Sequence, residues 1–143
     1  MMNSQEKAQF NTLDSEIIAI YTKARNLEAT LAKAQAEADD IIATIHERIW
    51  EAAQLDDPLA AYREVAKLKA RADMMMQYVE DVRPMAQRIY DTAKPLQSKQ
   101  AQIDRAACER QREINRLKEA REAYGLKAEC ESELDRLLAI QAI

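Results

Sequence analysis

The chain has 143 residues, a formal net charge of −4 and a single glycine, and Ala, Glu, Lys, Leu and Arg make up about half of it. That mix is too charged for a membrane span, too apolar for simple disorder and too poor in Val and aromatic residues for a sheet. It fits one all-α domain, residues 1–143, whose apolar residues are buried along narrow seams.

A first helix is expected over about residues 5–55. From Phe10 through Leu13, Ile17, Ile20 and Ala24, then on by Leu31, Ala38, Ile41 and Ile45 to Leu55, seam positions follow an unbroken 3-4 spacing, and only Arg48 among them is polar. This is a heptad seam. Asn3 with Glu6, or Thr12 slightly later, offers the N-terminal cap. The stretch "LDDP" ends the helix, with the turn at 56–57, Asp57 as the next N-cap and Pro58 as the next first helical residue.

The second helix is expected over about 58–94. Its seam is Val65, Leu68, Ala72, Met75, Val79, Val82, Ala86, Ile89, Ala93 and Leu96, again at strict 3-4 spacing. If the chain reverses at Asp56–Asp57, residue i faces residue 113 − i, and every seam position meets a seam position. In most layers a large residue meets an alanine, as interdigitating layers require. The same register brings Glu47 near Lys67 and Glu51 near Arg63. It also runs through Pro84 unchanged, so a bent helix is expected there, not a turn.

Pro95, in "TAKPLQSK", leaves two readings. The chain reverses near Lys94–Ser98, and a third helix returns onto a second apolar face of helix two made by Met74, Tyr78, Met85 and Ile89. Alternatively the helix runs on, and Phe10 still faces Ile103. The third helix, about 96–124, carries the seam Ile103, Ala107, Arg110, Ile114, Leu117, Arg121 and Tyr124. Gly125 either ends it or is tolerated within it. A C-terminal helix is expected over 126–143, with Leu126, Leu134, Leu137 and Leu138 as its buried side. The fold class is therefore all-α: an elongated antiparallel coiled-coil hairpin with a third long helix packed along it or extending it.

The stretch from Arg105 to Gly125 carries five arginines and a lysine, which suggests phosphate contacts by Arg105, Arg112 and Arg116. It also carries four glutamates. Arg105–Glu109, Lys118–Glu122 and Arg116–Glu119 stand at spacings that put opposite charges in contact. A self-paired strut is favoured over a nucleic-acid face. Arg110 and Arg121 sit on the seam itself. They are expected either to snorkel or pair across helices, Arg110 with Asp81, or to line an open seam that receives an acidic partner. On helix one, Glu37, Asp40, Glu47 and Glu51 form an acidic stripe, read as a solvated, internally paired face or as a docking surface for a basic partner. In "MMMQ", three adjacent methionines cannot all face inward, so Met74 or Met76 is a candidate for an adaptable contact surface.

No Cys/His cluster has zinc spacing, and no phosphate loop or nucleophile elbow is present. His46 is the single histidine, and the residue three before it is Ala43, so no carboxylate–histidine metal motif exists. Cys108 and Cys130 are expected to be reduced. No apolar run reaches the length of a spanning helix and no secretory signal opens the chain, so a cytoplasmic protein is expected. The reading is a non-enzyme without cofactor, metal, small-molecule substrate or membrane. It would act as a coiled-coil adaptor, spacer or assembly component on a protein partner or another copy, through Met74, Met76, Arg110, Arg121, Leu134 and Leu138. Nucleic-acid association through Arg105–Arg121 is the alternative. An acidic decoy that inhibits a nucleic-acid-binding protein is the third.

Overall fold

The computed structural model describes residues 1–54 and 56–143. Four helices follow one another: α1 (Ser4–Ala52), α2 (Pro58–Asp91), α3 (Lys94–Tyr124) and α4 (Ala128–Gln141), with no strand among the described residues. The fold is all-α. Length alone points to one domain, but the residues group into two compact units, Tyr21–Asp91 and Met1–Ile20 with Thr92–Ile143.

The Tyr21–Asp91 unit is an antiparallel pair of the later part of α1 and the whole of α2. Ala24, Leu31, Ala38 and Ile41 on α1 and Val65, Ala72, Val79 and Ala86 on α2 are buried. All are seam positions. The intervening Leu27, Ala34, Ile45, Leu68, Met75, Val82 and Ile89 are half-buried. Alternation between full and half burial is what a two-helix seam gives, because only one side of each helix has a neighbour. Two contacts fix the register. Arg71 Nη2 lies 2.8 Å from Glu37 Oε1, and the rings of Tyr21 and Tyr90 stand with centroids 5.5 Å apart. Tyr90 lies two residues from the position that 113 − i sets opposite Tyr21, and Arg71 lies five from the one opposite Glu37, a gap its long side chain spans. α1 ends three residues before the expected bound. Ala53 N–H still reaches Ile49 O, but Gln54 N–H bonds to Glu51 O, the tighter i→i+3 turn that closes many helices. Leu55, the last expected seam position, lies outside the described residues. α2 starts on Pro58 and runs without interruption through Pro84.

The other unit holds the start of α1 with α3 and α4. Asn3 caps α1 reciprocally with Glu6: Glu6 N–H donates to Asn3 Oδ1 at 2.8 Å, and Asn3 N–H donates to Glu6 Oε1 at 3.0 Å. This is a capping box with asparagine in the serine place. Gln100 on α3 donates to Phe10 O at 3.2 Å and to Asp14 Oδ1 at 3.4 Å. Those partners are the ones expected if the chain runs on through Pro95. The reversal near Lys94–Ser98 is corrected: the helix breaks at Thr92–Ala93, and Pro95 falls in the first turn of α3. Proline is tolerated there because the first-turn N–H groups have no helical acceptor. Ala93 keeps helical angles, φ −78° and ψ −22°, so nothing forces a turn.

The true reversal is at Gly125. Its φ of 71° and ψ of 164° lie in a region essentially restricted to glycine. α4 then folds back on α3, antiparallel. Ile114 and Leu117 pack with Leu134 and Leu137, and Leu126, Cys130 and Leu138 lie against them. Both cysteines are free thiols.

Candidate interaction surfaces

The sequence singled out residues that the fold sends to three different places. The first is a polar clasp around Arg110. Its side chain is 9% exposed and that of Glu6 19%. Arg110 Nη2 donates to Glu6 Oε1 at 2.6 Å, Nη1 to Glu6 Oε2 at 3.1 Å and Nε to Gln141 Oε1 at 2.8 Å. Nη2 also reaches Met1 O, which accepts from Gln141 Nε2, both at 3.1 Å. Asn3 Nδ2 completes the set by donating to Ile140 O at 2.8 Å. The bidentate Arg110 contact is the first cause that holds the Glu6 carboxyl below its ordinary value; burial opposes it and the Asn3 N–H assists. The expected Arg110–Asp81 pair is corrected, and so is the reading of Arg110 as an open seam for an acidic partner. The acid it meets is Glu6 of its own chain.

The rest of the basic stretch is also largely engaged. Arg121 Nη1 lies 3.9 Å from Glu131 Oε2. Arg116 pairs with Glu113, not with the expected Glu119, because the bidentate geometry one turn back is available. That contact holds Glu113 below the usual carboxylate range. Arg105 and Arg112 are exposed. Leu134 is fully buried and Leu138 packs beside it. As docking residues both are corrected: their apolar surface is spent on Ile114 and Leu117.

The acidic stripe is exposed along α1, and its charges are partly met within the chain. Glu37 pairs with Arg71 across the hairpin. Glu51 Oε2 lies 3.7 Å from Arg48, not against Arg63. Asp40 and Glu47 face solvent. His46 is exposed on the same helix. Among the described residues no group of His, Cys, Asp and Glu has the makings of a metal site.

Large apolar side chains remain exposed on the Tyr21–Asp91 unit in two places. Ile49, Trp50, Leu59 and Tyr62 surround the end of the hairpin, where Trp50 is 73% exposed. Nothing in the heptad spacing marks this group; its one sequence signal is a pair of aromatic residues off the seam, Trp50 and Tyr62. The other place is α2 itself. Met74 is 67% exposed, Tyr78 42% and Met85 45%. These three are one helical stripe, at i, i+4 and i+11. Met76 is also exposed but points from another side of the helix. Met75, between them, belongs to the seam and is half-buried. The second apolar face of helix two therefore exists, and Met74, Tyr78 and Met85 on it are exposed.

No helix among the described residues is long and apolar enough to cross a membrane. Comparison with family models, curated proteins and solved structures finds no match.

Proposed function

We propose that the chain is a non-catalytic coiled-coil interaction protein, an adaptor, spacer or assembly component, that works by helix-on-helix docking to a protein partner or to another copy of itself. One observation supports this most. α2 has its seam closed by α1, yet still presents Met74, Tyr78 and Met85 to solvent at helical spacing. A helix that keeps a second apolar stripe is built to be packed on twice, and docking of helix on stripe is a common recognition mode. The nucleic-acid alternative draws less support. Arg110, Arg116 and Arg121 are each held by a carboxylate of the same chain, whereas phosphate binding needs free bases. The decoy reading is likewise weakened, since Glu37 and Glu51 have basic neighbours.

The test is capture of the tagged chain and its Tyr78→Glu variant from host lysate, with and without nuclease and at raised salt. Protein partners that survive both treatments and are lost from the variant are the expected result. Partners that vanish with the nucleic acid would overturn the docking reading in favour of the Arg105–Arg121 face.

A further inference from the structure

The exposed stripe on α2 extends beyond its apolar residues. Continued at the same 3-4 spacing, it runs from Glu64 to Arg88. Arg71 and Asp81 bracket the Met74–Tyr78 centre, and Glu64 and Arg88 lie at the two ends. All of these positions are exposed. The stripe thus has an apolar centre, Met74 and Tyr78, with a further Met85, among charged positions of the kind that set partner choice and orientation beside a coiled-coil seam.

We propose that this stripe is a self-docking face, on which a second copy of the chain packs its own α2 antiparallel about a two-fold axis, with residue i of one copy opposite residue 152 − i of the other. The proposal rests on the docking reading above and names its partner.

Charge selects both the partner and the register. In the 152 − i register Met74 meets Tyr78 of the other copy, Arg71 meets Asp81, and Glu64 meets Arg88. The two-fold axis repeats each layer, as an isologous interface requires. Lys67 falls opposite Met85, where its methylene stem covers the thioether and its ammonium reaches water. A shift of one heptad in one direction places Asp81 on Glu64 and separates Met74 from Tyr78. A shift in the other direction places Arg71 on Arg88. A parallel arrangement sets every charged residue of the stripe against its own copy. Each alternative thus carries repulsion that the 152 − i register lacks, which is how natural seams exclude wrong pairings. Arg71 already bonds Glu37. Its planar fork has donors left for a second carboxylate, so the dimer adds Asp81 to a pair that already exists.

The test is sedimentation equilibrium of the full chain and of two charge-reversed variants, Glu64→Arg and Arg88→Glu, each checked for helix content. The wild-type chain is expected to dimerise. Each variant alone turns two attractive layers into repulsive ones, and its dimer should weaken about tenfold or more. An equimolar mixture of the two variants restores opposite charges in both layers, so the mixed dimer should recover wild-type affinity. No general change in surface charge produces that recovery. A wild-type chain that stays monomeric, or a dimer indifferent to both variants, overturns the proposal. In either case the docking reading is judged separately, by whether Tyr78→Glu loses the captured partners.

Discussion

The two units of this chain solve the same problem in opposite ways. In Tyr21–Asp91, two helices share one seam, and Met74, Tyr78 and Met85 along the body of α2 are left in water, whereas the other unit's exposed Ile18 and Tyr124 stand singly. In the other unit a third helix arrives. α4 closes over α3, Leu134 becomes fully buried, and the remaining polar groups are gathered into the Arg110 clasp. A two-helix seam covers only one side of each member, whereas a third helix covers a second side and allows a charge pair to be enclosed. The first unit therefore leaves an apolar stripe of α2 in water, whereas the second encloses both an apolar cluster and a charge pair.

The largest break in that contrast should come from the core of the finished unit. Leu134→Ala removes a side chain that neighbours enclose on every side, so its cavity cannot collapse fully and the cost should be about 2–5 kcal/mol. Leu31→Ala, in a seam open at its flanks, should fall at the lower end of that range. Urea unfolding gives the sizes, and amide hydrogen exchange gives the place. Protection around Ile114 and Leu117 should drop in Leu134→Ala, while protection around Val79 holds. Equal losses in both regions would sink the distinction between the units.

A smaller effect separates two arginine pairs of similar length. Arg110→Ala leaves the Glu6 carboxylate, Gln141 and Met1 O short of their donor in a half-closed space. Breaking such a pair costs on the order of 3 kcal/mol. Arg71→Ala cuts a pair whose side chains are both more than half exposed, and stability should stay within about 0.5 kcal/mol of the parent. If the Arg71 variant is hurt as badly as the Arg110 variant, burial is not what distinguishes the two pairs.

The seams were legible because they depend on spacing alone. Every apolar seam position read onto helices one and two from Phe10 to Leu96, outside Leu55, is buried or half-buried. Pro95 was not decided by spacing, because both readings kept the heptads. What decided it was a need of α1: Phe10, Leu13 and Ile17 lack cover unless α3 runs on beside them. The clasp was missed even though the 113 − i register already placed Arg110 opposite Asn3, one turn from Glu6. Asp81 on the preceding helix is an equally charged partner by sequence, and Asn3 with Glu6 has the spacing of a cap whether or not Glu6 also meets an arginine. Leu134 and Leu138 carried the same apolar signal whether a partner or α3 covers them. Only the reversal at Gly125 distinguishes the two, and a lone glycine in a helical sequence does not declare its angles.

The finest distinction is one of pH, between enclosed and open ion pairs inside the second unit. Because Arg110 holds Glu6 below its ordinary value of 4.5, the carboxylate stabilises the folded unit fully above that pH. The contribution is lost as pH falls through the lowered folded value. Stability should therefore decline with acidification below about pH 4.5, and Glu6→Gln should flatten the decline. Glu113 and Glu133 are also held low, by Arg116 and Arg136, and titrate in the same direction. Their pairs are solvent-exposed, so added salt screens them, while the enclosed Glu6–Arg110 pair is screened much less. At high ionic strength the difference between parent and Glu6→Gln should persist in the acid limb of urea midpoints measured against pH. If salt erases that difference, the clasp is as open to solvent as the surface pairs, and burial does not set it apart from them.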